Sequence, residues 1–161
     1  ARHLKNSGVE AVVYLAAEES DVRGDARTNL DIWKAMGGKI HKIQGNDDIK
    51  KYTVKIKHCG LIVDAIFGTG LEKEIAGIYR EVIEFINSLD KKIVSIDIPS
   101  GIDASAGRVL GCCIKADTTI TMALPKIGIL TYPGAYYAGD IEIVDIGMPV
   151  NIIDDELQII Y

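Results

Sequence analysis

The hydrophobic pattern of the chain contains two short apolar runs that end in similar ways. Residues 61–67 and 93–98 are each nearly continuous in apolar side chains, and each is too short for a helix. Runs of this kind are typical of strands buried on both faces of a parallel sheet. Each run carries an aspartate, Asp64 or Asp97, and a glycine-containing turn follows it. We therefore expect two similar strands whose ends contribute to one shared site.

Helix-like and strand-like segments alternate around these two runs. Helical spacing or a helix-stop glycine predicts helices at residues 1–7, 25–36 and 78–89, and strand formers predict strands at residues 9–17, 39–43, 117–124 and 141–146. Residues 46–57 are ambiguous, because Asn46 or Asp47 suits a helix cap whereas residues 52–54 (Tyr-Thr-Val) favour a strand. We predict a helix there.

The order of these elements predicts the architecture. Strands and helices alternate through the first two thirds of the chain, which indicates right-handed crossovers and a three-layer α/β sandwich. No long helix separates the last two predicted strands, and residues 125–139 between them are rich in glycine and proline. We expect a loop with one short helix there, and an antiparallel edge made by the closing strands.

Composition and charge exclude several classes of protein. At 161 residues the chain is long enough for one domain with a real core. Its net charge of −5, without a basic stripe, argues against nucleic acid as the main partner. No apolar stretch is long enough to predict a membrane span. Three cysteines, two of them adjacent, fit a reducing cytoplasm and support neither a disulfide framework nor a zinc site.

The candidate chemistry lies after the two apolar runs. Ligands of open α/β sheets bind beyond the carboxyl ends of the strands, where Asp64 and Asp97 are expected. Such a carboxylate can bind ribose hydroxyls, a cation or a proton, or it can simply cap a loop. The Gly-Thr-Gly turn at residues 68–70 offers free backbone N–H groups to an anion. Two such aspartates together favour a functional site.

Ser100 and Lys126 are weaker candidates from the pattern alone. Ser100 lacks the G-x-S-x-G context of a nucleophilic serine, so a turn hydroxyl or dipolar ligand fits it better. Lys126 lies in a glycine-rich loop, where it either supports a phosphate or a developing charge, or is solvated. The residues by themselves indicate an α/β domain that binds a nucleotide-like or polar small molecule, with acid/base chemistry as an open alternative.

Several motifs in register resemble a known family. They are Asp-Ala-Ile-Phe-Gly-Thr-Gly-Leu at residues 64–71, Ser-Ile-Asp-Ile-Pro-Ser-Gly-Ile-Asp at 95–103, Leu-Pro-Lys-Ile-Gly at 124–128 and the closing segment at 137–147. Together they resemble the YjeF N-terminal domain family, the NAD(P)H-hydrate epimerases, over residues 1–149. The resemblance implies a Rossmann-like three-layer α/β/α sandwich with a mostly parallel central sheet.

The resemblance also implies an activity and its partners. Family members are isomerases that interconvert the R and S forms of NADHX and NADPHX, which are hydrated nicotinamide cofactors, and a fused or separate dehydratase then restores the cofactor. A cytoplasmic location, a potassium ion as cofactor and a homodimer are further expectations, with neither a nucleic acid nor a membrane as partner. The alternative is a non-catalytic nucleotide-binding or protein-interaction module of the same fold.

Site residues can be carried over by position. Asp64 and Ser100 match potassium ligands. The positions that match substrate contacts are Gly68, Thr69, Gly70, Leu71, Glu72, Lys73, Glu74 and Asp97. The substrate is a hemiaminal, so inverting its centre requires a proton to be moved on and off oxygen. Our hypothesis is that Asp64 or Asp97 transfers the proton while Lys126 supports charge.

One part of the family pattern is not present in the sequence. The family's first strand and its Asn-Asn-Gly-Gly-Asp-Gly loop would precede residue 1, so we expect a fragment, a shortened version or a paralogue that has lost the site. We expect residues 1–149 to form the N-terminally truncated epimerase domain, and residues 150–161 to be a tail or a linker towards a dehydratase domain. An exposed sheet edge or altered packing is a further expectation.

Overall fold

The computed structural model describes residues 1–149, which fall into two compact units divided between Ile56 and Lys57. The helices are α1 (Arg2–Asn6), α2 (Gly24–Ala35), α3 (Asn46–Lys57), α4 (Gly77–Asn87), α5 (Ile127–Leu130) and α6 (Gly134–Ala138). The strands are β1 (Val12–Leu15), β2 (Lys39–Lys42), β3 (Ile62–Asp64), β4 (Ile93–Ile96), β5 (Thr118–Met122) and β6 (Asp140–Val144). The predicted tail, residues 150–161, lies outside the described residues.

The first unit contains a two-stranded parallel sheet, in which β1 pairs with β2. Trp33 of α2 is 2% exposed, and its ring fills the space where a side chain at Gly38 would begin, since a Cβ there would lie 2.0 Å from the indole. His41 of β2 stacks on Tyr52 of α3 with ring centroids 4.5 Å apart. Burial, followed by nearby lysines, lowers the pKa of His41. These contacts hold the unit's helices and strands together.

The second unit contains a four-stranded parallel sheet in the order β3-β4-β5-β6. One core cluster joins α4 to this sheet: Ile83 is fully buried and packs with Ile93 of β4 and Ile114. A second cluster joins Ile98 and Ile102 to Ile129 of α5 and to α6. The helices α4, α5 and α6 therefore fix the strands whose ends carry the candidate site.

Most of the predicted elements are confirmed. The fold is α/β with parallel sheets, and the ambiguous segment is a helix over the predicted range, Asn46–Lys57. The segment forms a helix and not a strand because the helix buries Ile49, Tyr52 and Ile56 on one face. This burial outweighs the strand preference of residues 52–54. Within residues 1–149 no helix is both long and apolar enough to cross a membrane.

The predicted antiparallel closing edge is wrong. β5 and β6 are parallel, with Thr118 opposite Asp140 and Met122 opposite Val144. Residues 125–139 contain two short helices rather than one, and they carry the chain back to the start of β5 before β6 begins. Gly139 makes this return possible: its φ is 62°, and a Cβ there would lie 2.2 Å from the Asp117 carbonyl oxygen.

Candidate active site at the carboxyl ends of β3, β4 and β5

The candidate site lies where three adjacent parallel strands end. Asp64 is the last residue of β3, Asp97 follows β4 directly, and Lys126 lies four residues beyond β5. Because parallel strands end at the same edge of a sheet, all three side chains reach one side of the second unit. They form two separate hydrogen-bonded clusters there, one around Asp64 and one around Asp97.

The Asp64 carboxylate is buried and fully occupied by protein donors. It is 1% exposed. Oδ1 accepts hydrogen bonds from Ser100 Oγ at 2.6 Å and from the Ile66 N–H at 3.3 Å. Oδ2 accepts from Ser95 Oγ at 2.8 Å and from the Ser100 N–H at 2.9 Å. The carboxylate therefore ties the end of β3 to β4 and to the turn that follows β4.

Ser100 is held in place from several sides. Its Oγ accepts a hydrogen bond from the Phe67 N–H at 2.9 Å, and its carbonyl accepts one from the Ile114 N–H, also at 2.9 Å. The next residue, Gly101, has a φ of 103°, and a Cβ there would lie 2.1 Å from the Cys112 carbonyl oxygen. Only glycine fits at this position, so the glycine of the Pro-Ser-Gly turn is a structural requirement of the site.

The surroundings of Asp64 contain no paired cation among residues 1–149. The ion pairs of the second unit involve other carboxylates, Asp97 and Asp103 among them. Burial raises the pKa of the nearby Cys113 thiol to about 12, with Cys112 and Asp64 as smaller causes. Cys113 is therefore an uncharged, inert side chain of the core.

The Asp97 carboxylate is bound on one side only. Asp97 has a φ of 71°, an uncommon conformation for a residue with a side chain. Its Oδ1 accepts from the Met122 N–H at 3.1 Å, from Thr121 Oγ1 at 3.3 Å and from the Lys126 ammonium. No donor within residues 1–149 reaches Oδ2, and the side chain is 22% exposed. Asp97 therefore presents a free carboxylate oxygen at the strand ends.

Lys126 uses its donors within the same cluster. Its ammonium donates to Asp97 Oδ1, to Thr121 Oγ1 at 3.2 Å and to the Met122 carbonyl at 3.1 Å. Lys126 immediately precedes α5. That helix lies so close to the Asp103 carbonyl oxygen that only glycine fits at residue 128, since a Cβ there would lie 2.1 Å from this oxygen. Lys126 is thus a cation held in place beside Asp97. It is not a solvated loop lysine, which was the alternative that the sequence left open.

A groove of about 410 Å³ opens beside the Gly-Thr-Gly turn. Its lining residues are Ile66, Phe67, Gly68, Gly70, Leu71, Glu72 and Lys73. Of the predicted substrate-binding residues in this segment, Thr69 and Glu74 do not line it. The Phe67 ring packs on Tyr79 of α4 with centroids 4.8 Å apart, which supports one wall. Gly68 and Gly70 expose their backbone at the groove, where N–H groups can bind a polar ligand.

Two buried hydroxyls of the clusters were not identified from the sequence. Ser95 donates to Asp64, and Thr121 contacts both Asp97 and Lys126; both side chains are fully buried. The available signal was a hydroxyl at alternate positions of otherwise apolar strands, such as Thr-x-Thr at residues 119–121. Within residues 1–149, no three His, Cys, Asp or Glu side chains form a cluster that could hold a metal ion.

A family model described as the YjeF-related protein N-terminus matches residues 1–128, which include both clusters. The chain belongs to this family. All the site residues discussed above therefore lie within the matched part of this YjeF-related chain, whereas α6 and β6 lie beyond it.

Sequence relatives agree with this membership. The YjeF-related chain is 44% identical over 153 residues to the bifunctional NAD(P)H-hydrate repair enzyme Nnr of Moorella thermoacetica, covering 95% of the chain and 29% of that enzyme. It is 38% identical over 148 residues to the NAD(P)H-hydrate epimerase of Levilactobacillus brevis, covering 92% of the chain and 65% of that protein. The chain thus spans less than a third of the first relative and less than two thirds of the second.

The fold also has a solved counterpart. The crystal structure of the yeast protein ynu0 (YNL200c) matches 80% of this YjeF-related chain and 52% of its own length, with a TM-score of 0.63 at 22% identity. The shared fold is the Rossmann-like α/β architecture implied by the sequence motifs.

Proposed function

We propose that this chain is an NAD(P)H-hydrate epimerase domain that interconverts the R and S forms of NADHX and NADPHX. Membership of the YjeF-related family and the name of the Levilactobacillus brevis relative support this proposal. The observation that carries it is the arrangement of Asp97, whose Oδ1 is held by Lys126 while Oδ2 has no protein donor within residues 1–149. A carboxylate held in this way is suited to proton transfer with a bound ligand.

The chemistry of the substrate matches this pair. NADHX and NADPHX carry a hydroxyl on a ring carbon next to nitrogen, and inversion proceeds through loss and return of that hydroxyl or through ring opening and closure. Either route moves a proton on and off oxygen, and Asp97 Oδ2 performs that transfer. Lys126, which is fixed by three acceptors, stabilises the charge that develops near Asp97.

The groove beside the Gly-Thr-Gly turn is the proposed substrate site. Gly68 and Gly70 allow the ligand to approach the backbone closely, and Lys73 offers a cation to its phosphates. Of the substrate positions assigned by family resemblance, Thr69, Glu74 and Asp97 do not line the groove, and we give Thr69 and Glu74 a supporting role. Asp97 is the remaining substrate-binding position in the proposal, and it lies directly after β4, the strand next to β3.

The family resemblance implies a potassium ion at the Asp64 cluster. Asp64 Oδ1, Ser100 Oγ and the Phe67 carbonyl are oxygens of the kind that bind hard cations, but here Ser100 Oγ is hydrogen-bonded to the other two at 2.6 Å and 3.2 Å, so an ion would have to displace these hydrogen bonds. These residues would hold the ion through their oxygens. When bound, it would balance the buried charge of Asp64. We therefore assign Asp64 to ion binding and loop structure, and Asp97 to proton transfer.

The wider organisation is part of the proposal. Residues 1–149 form the epimerase domain, and residues 150–161 lead towards a dehydratase domain of the kind that the bifunctional relatives' name indicates. A homodimer and a cytoplasmic location, both expected from the family, complete it.

The test is to follow R-NADHX and S-NADHX by chromatography with the 161-residue chain and with the complete gene product. We expect the pure S form to relax to a mixture much faster than in the absence of protein. Interconversion by the complete product alone would show that further residues complete the site. Binding of nicotinamide nucleotides without interconversion by either protein would overturn the enzyme assignment and favour a binding module.

A further inference from the structure

The Thr121 side chain lies buried between the two charged groups of the proposed site. It belongs to β5, its exposed fraction is 0%, and its Oγ1 lies 3.3 Å from Asp97 Oδ1 and 3.2 Å from Lys126 Nζ. Thr119, two residues earlier on the same face of the strand, is equally buried but donates to the Ala138 carbonyl at 2.7 Å. One strand face thus carries one threonine towards the site and one towards α6.

The contacts of Thr121 have only one possible direction. A lysine ammonium can only donate hydrogen bonds, and a carboxylate can only accept them, whereas a hydroxyl does both. Thr121 therefore accepts from Lys126 and donates to Asp97, so its single proton is committed to Oδ1. The hydroxyl links the cation to the carboxylate beside their direct ion pair.

This link adds a third donor to the carboxylate oxygen that faces the protein. Oδ1 receives three donors, namely the Met122 N–H, the Thr121 hydroxyl and the Lys126 ammonium. The same hydroxyl is one of the three acceptors of Lys126. Without it, one ammonium proton loses its acceptor, and the carboxylate loses the one side-chain hydroxyl within residues 1–149 that holds it.

We propose that Thr121 is a positioning residue that orients Asp97 with Oδ2 towards the substrate and fixes the Lys126 ammonium at Oδ1. This inference rests on the proposed role of the Asp97–Lys126 pair in epimerisation. Thr121 does not itself touch the reacting atoms; it acts through the two residues that it joins.

The first test compares Thr121→Val, Thr121→Ser and the matched control Thr119→Val in NADHX epimerisation. We expect Thr121→Val to lower kcat about tenfold while KM changes less than about twofold, since the loss concerns orientation rather than binding. Thr121→Ser keeps the hydroxyl and should restore kcat to within about threefold of the wild type. Thr119→Val should retain wild-type kcat, whatever its thermal stability.

A second readout does not depend on epimerase activity. Reductive methylation of the folded protein, followed by mass spectrometry, measures how fast Lys126 reacts. Lys126 should react faster in Thr121→Val than in the wild type, and at the wild-type rate in Thr119→Val and Thr121→Ser. If neither the wild-type chain nor the complete gene product interconverts the two forms, the function proposal fails, but this comparison still tests the positioning role.

The inference is overturned if Thr121→Val keeps both wild-type kcat and the wild-type methylation rate. It is also overturned if Thr119→Val changes both quantities as much as Thr121→Val, because general loosening of β5 would then explain the result. If Thr121→Val does not fold, Thr121→Ala replaces it, with the same expected fall in kcat, the same expected rise in methylation rate and the same control.

Discussion

The carboxyl ends of β3 and β4 each carry an aspartate, but the two carboxylates are bound in opposite ways. Asp64 is 1% exposed, and both its oxygens accept hydrogen bonds from the protein. The Asp97 side chain is 22% exposed, and its donors within residues 1–149 all reach Oδ1. A carboxylate with every oxygen occupied organises the loops around it, whereas one with a free oxygen beside a fixed cation can exchange a proton with a ligand.

The largest expected effect is the loss of activity in Asp97→Gly. Removing the proton-transfer group should lower kcat for NADHX epimerisation by about a thousandfold. Glycine tolerates the φ of 71° at this position better than aspartate, which offsets part of the cost of losing the three hydrogen bonds that Oδ1 accepts, so the variant should stay folded with a lower unfolding temperature than the wild type. Chromatographic rates and a melting curve of the same preparation give both results. A stable variant with wild-type turnover would show that Asp97 is not the proton-transfer group.

Asp64→Asn should instead act mainly on stability. The amide replaces one acceptor oxygen by an NH₂ group, which then faces either the Ser95 and Ser100 donors or the Ser100 hydroxyl and the Ile66 N–H. We expect the free energy of unfolding to fall by about 3 kcal/mol, because a buried donor is left without an acceptor. Urea denaturation measures this change. A variant as stable as the wild type would show that the four hydrogen bonds do not hold the turn together.

Lys126→Met tests the cation that distinguishes the Asp97 cluster. The side chain keeps a similar length but loses its charge, so the charge developing beside Asp97 is no longer balanced. We expect kcat to fall about tenfold to a hundredfold, with little change in the unfolding midpoint, because the ion pair is partly exposed. Initial epimerisation rates and urea denaturation check the two parts. Equal activity of Lys126→Met and the wild type would remove Lys126 from the mechanism.

The smallest effect concerns Cys113, beside the Asp64 cluster, and leaves activity at neutral pH unchanged. Burial raises the pKa of this thiol to about 12, so at pH 8 only about one molecule in ten thousand carries the thiolate. Iodoacetamide should therefore label Cys113 very slowly in the folded protein and readily in urea. Peptide mass spectrometry measures this labelling. Rapid labelling of the folded protein would mean that the core beside Asp64 is open.

The same pKa predicts a change in stability at high pH. The folded thiol holds its proton above the unfolded pKa of about 9, so the folded state loses stability as the pH rises from about 9 towards 12. Cys113→Ala should remove this part of the alkaline dependence, and urea midpoints across that range compare the two proteins.

The apolar runs predicted the strands because burial on both faces leaves a continuous signal. They also placed Asp64 and Asp97 correctly at the strand ends. The pattern could not separate the roles of the two aspartates, because the residues that distinguish them are distant in sequence. Ser95 lies 31 residues from Asp64, and Thr121 lies 24 residues from Asp97. Such partners become visible only when strand register brings them together.

The direction of β6 was mispredicted for a different reason. The helices α5 and α6 have four and five residues, which is too short for an apolar period to be recognised. A glycine- and proline-rich stretch therefore resembled a loop, and a loop between successive strands suggested an antiparallel pair. The connection between β5 and β6 matters for the site because Lys126 lies at its start, immediately before α5.

Chemical rescue by formate tests the division of labour between the two aspartates most directly. Formate can enter the space left in Asp97→Gly and take over proton transfer, so we expect it to raise the epimerisation rate of that variant at least about tenfold. It should give no increase in Asp64→Ala, where the missing carboxylate served as a structural acceptor. Rescue of Asp64→Ala together with no rescue of Asp97→Gly would contradict the account, because the reacting carboxylate would then be Asp64.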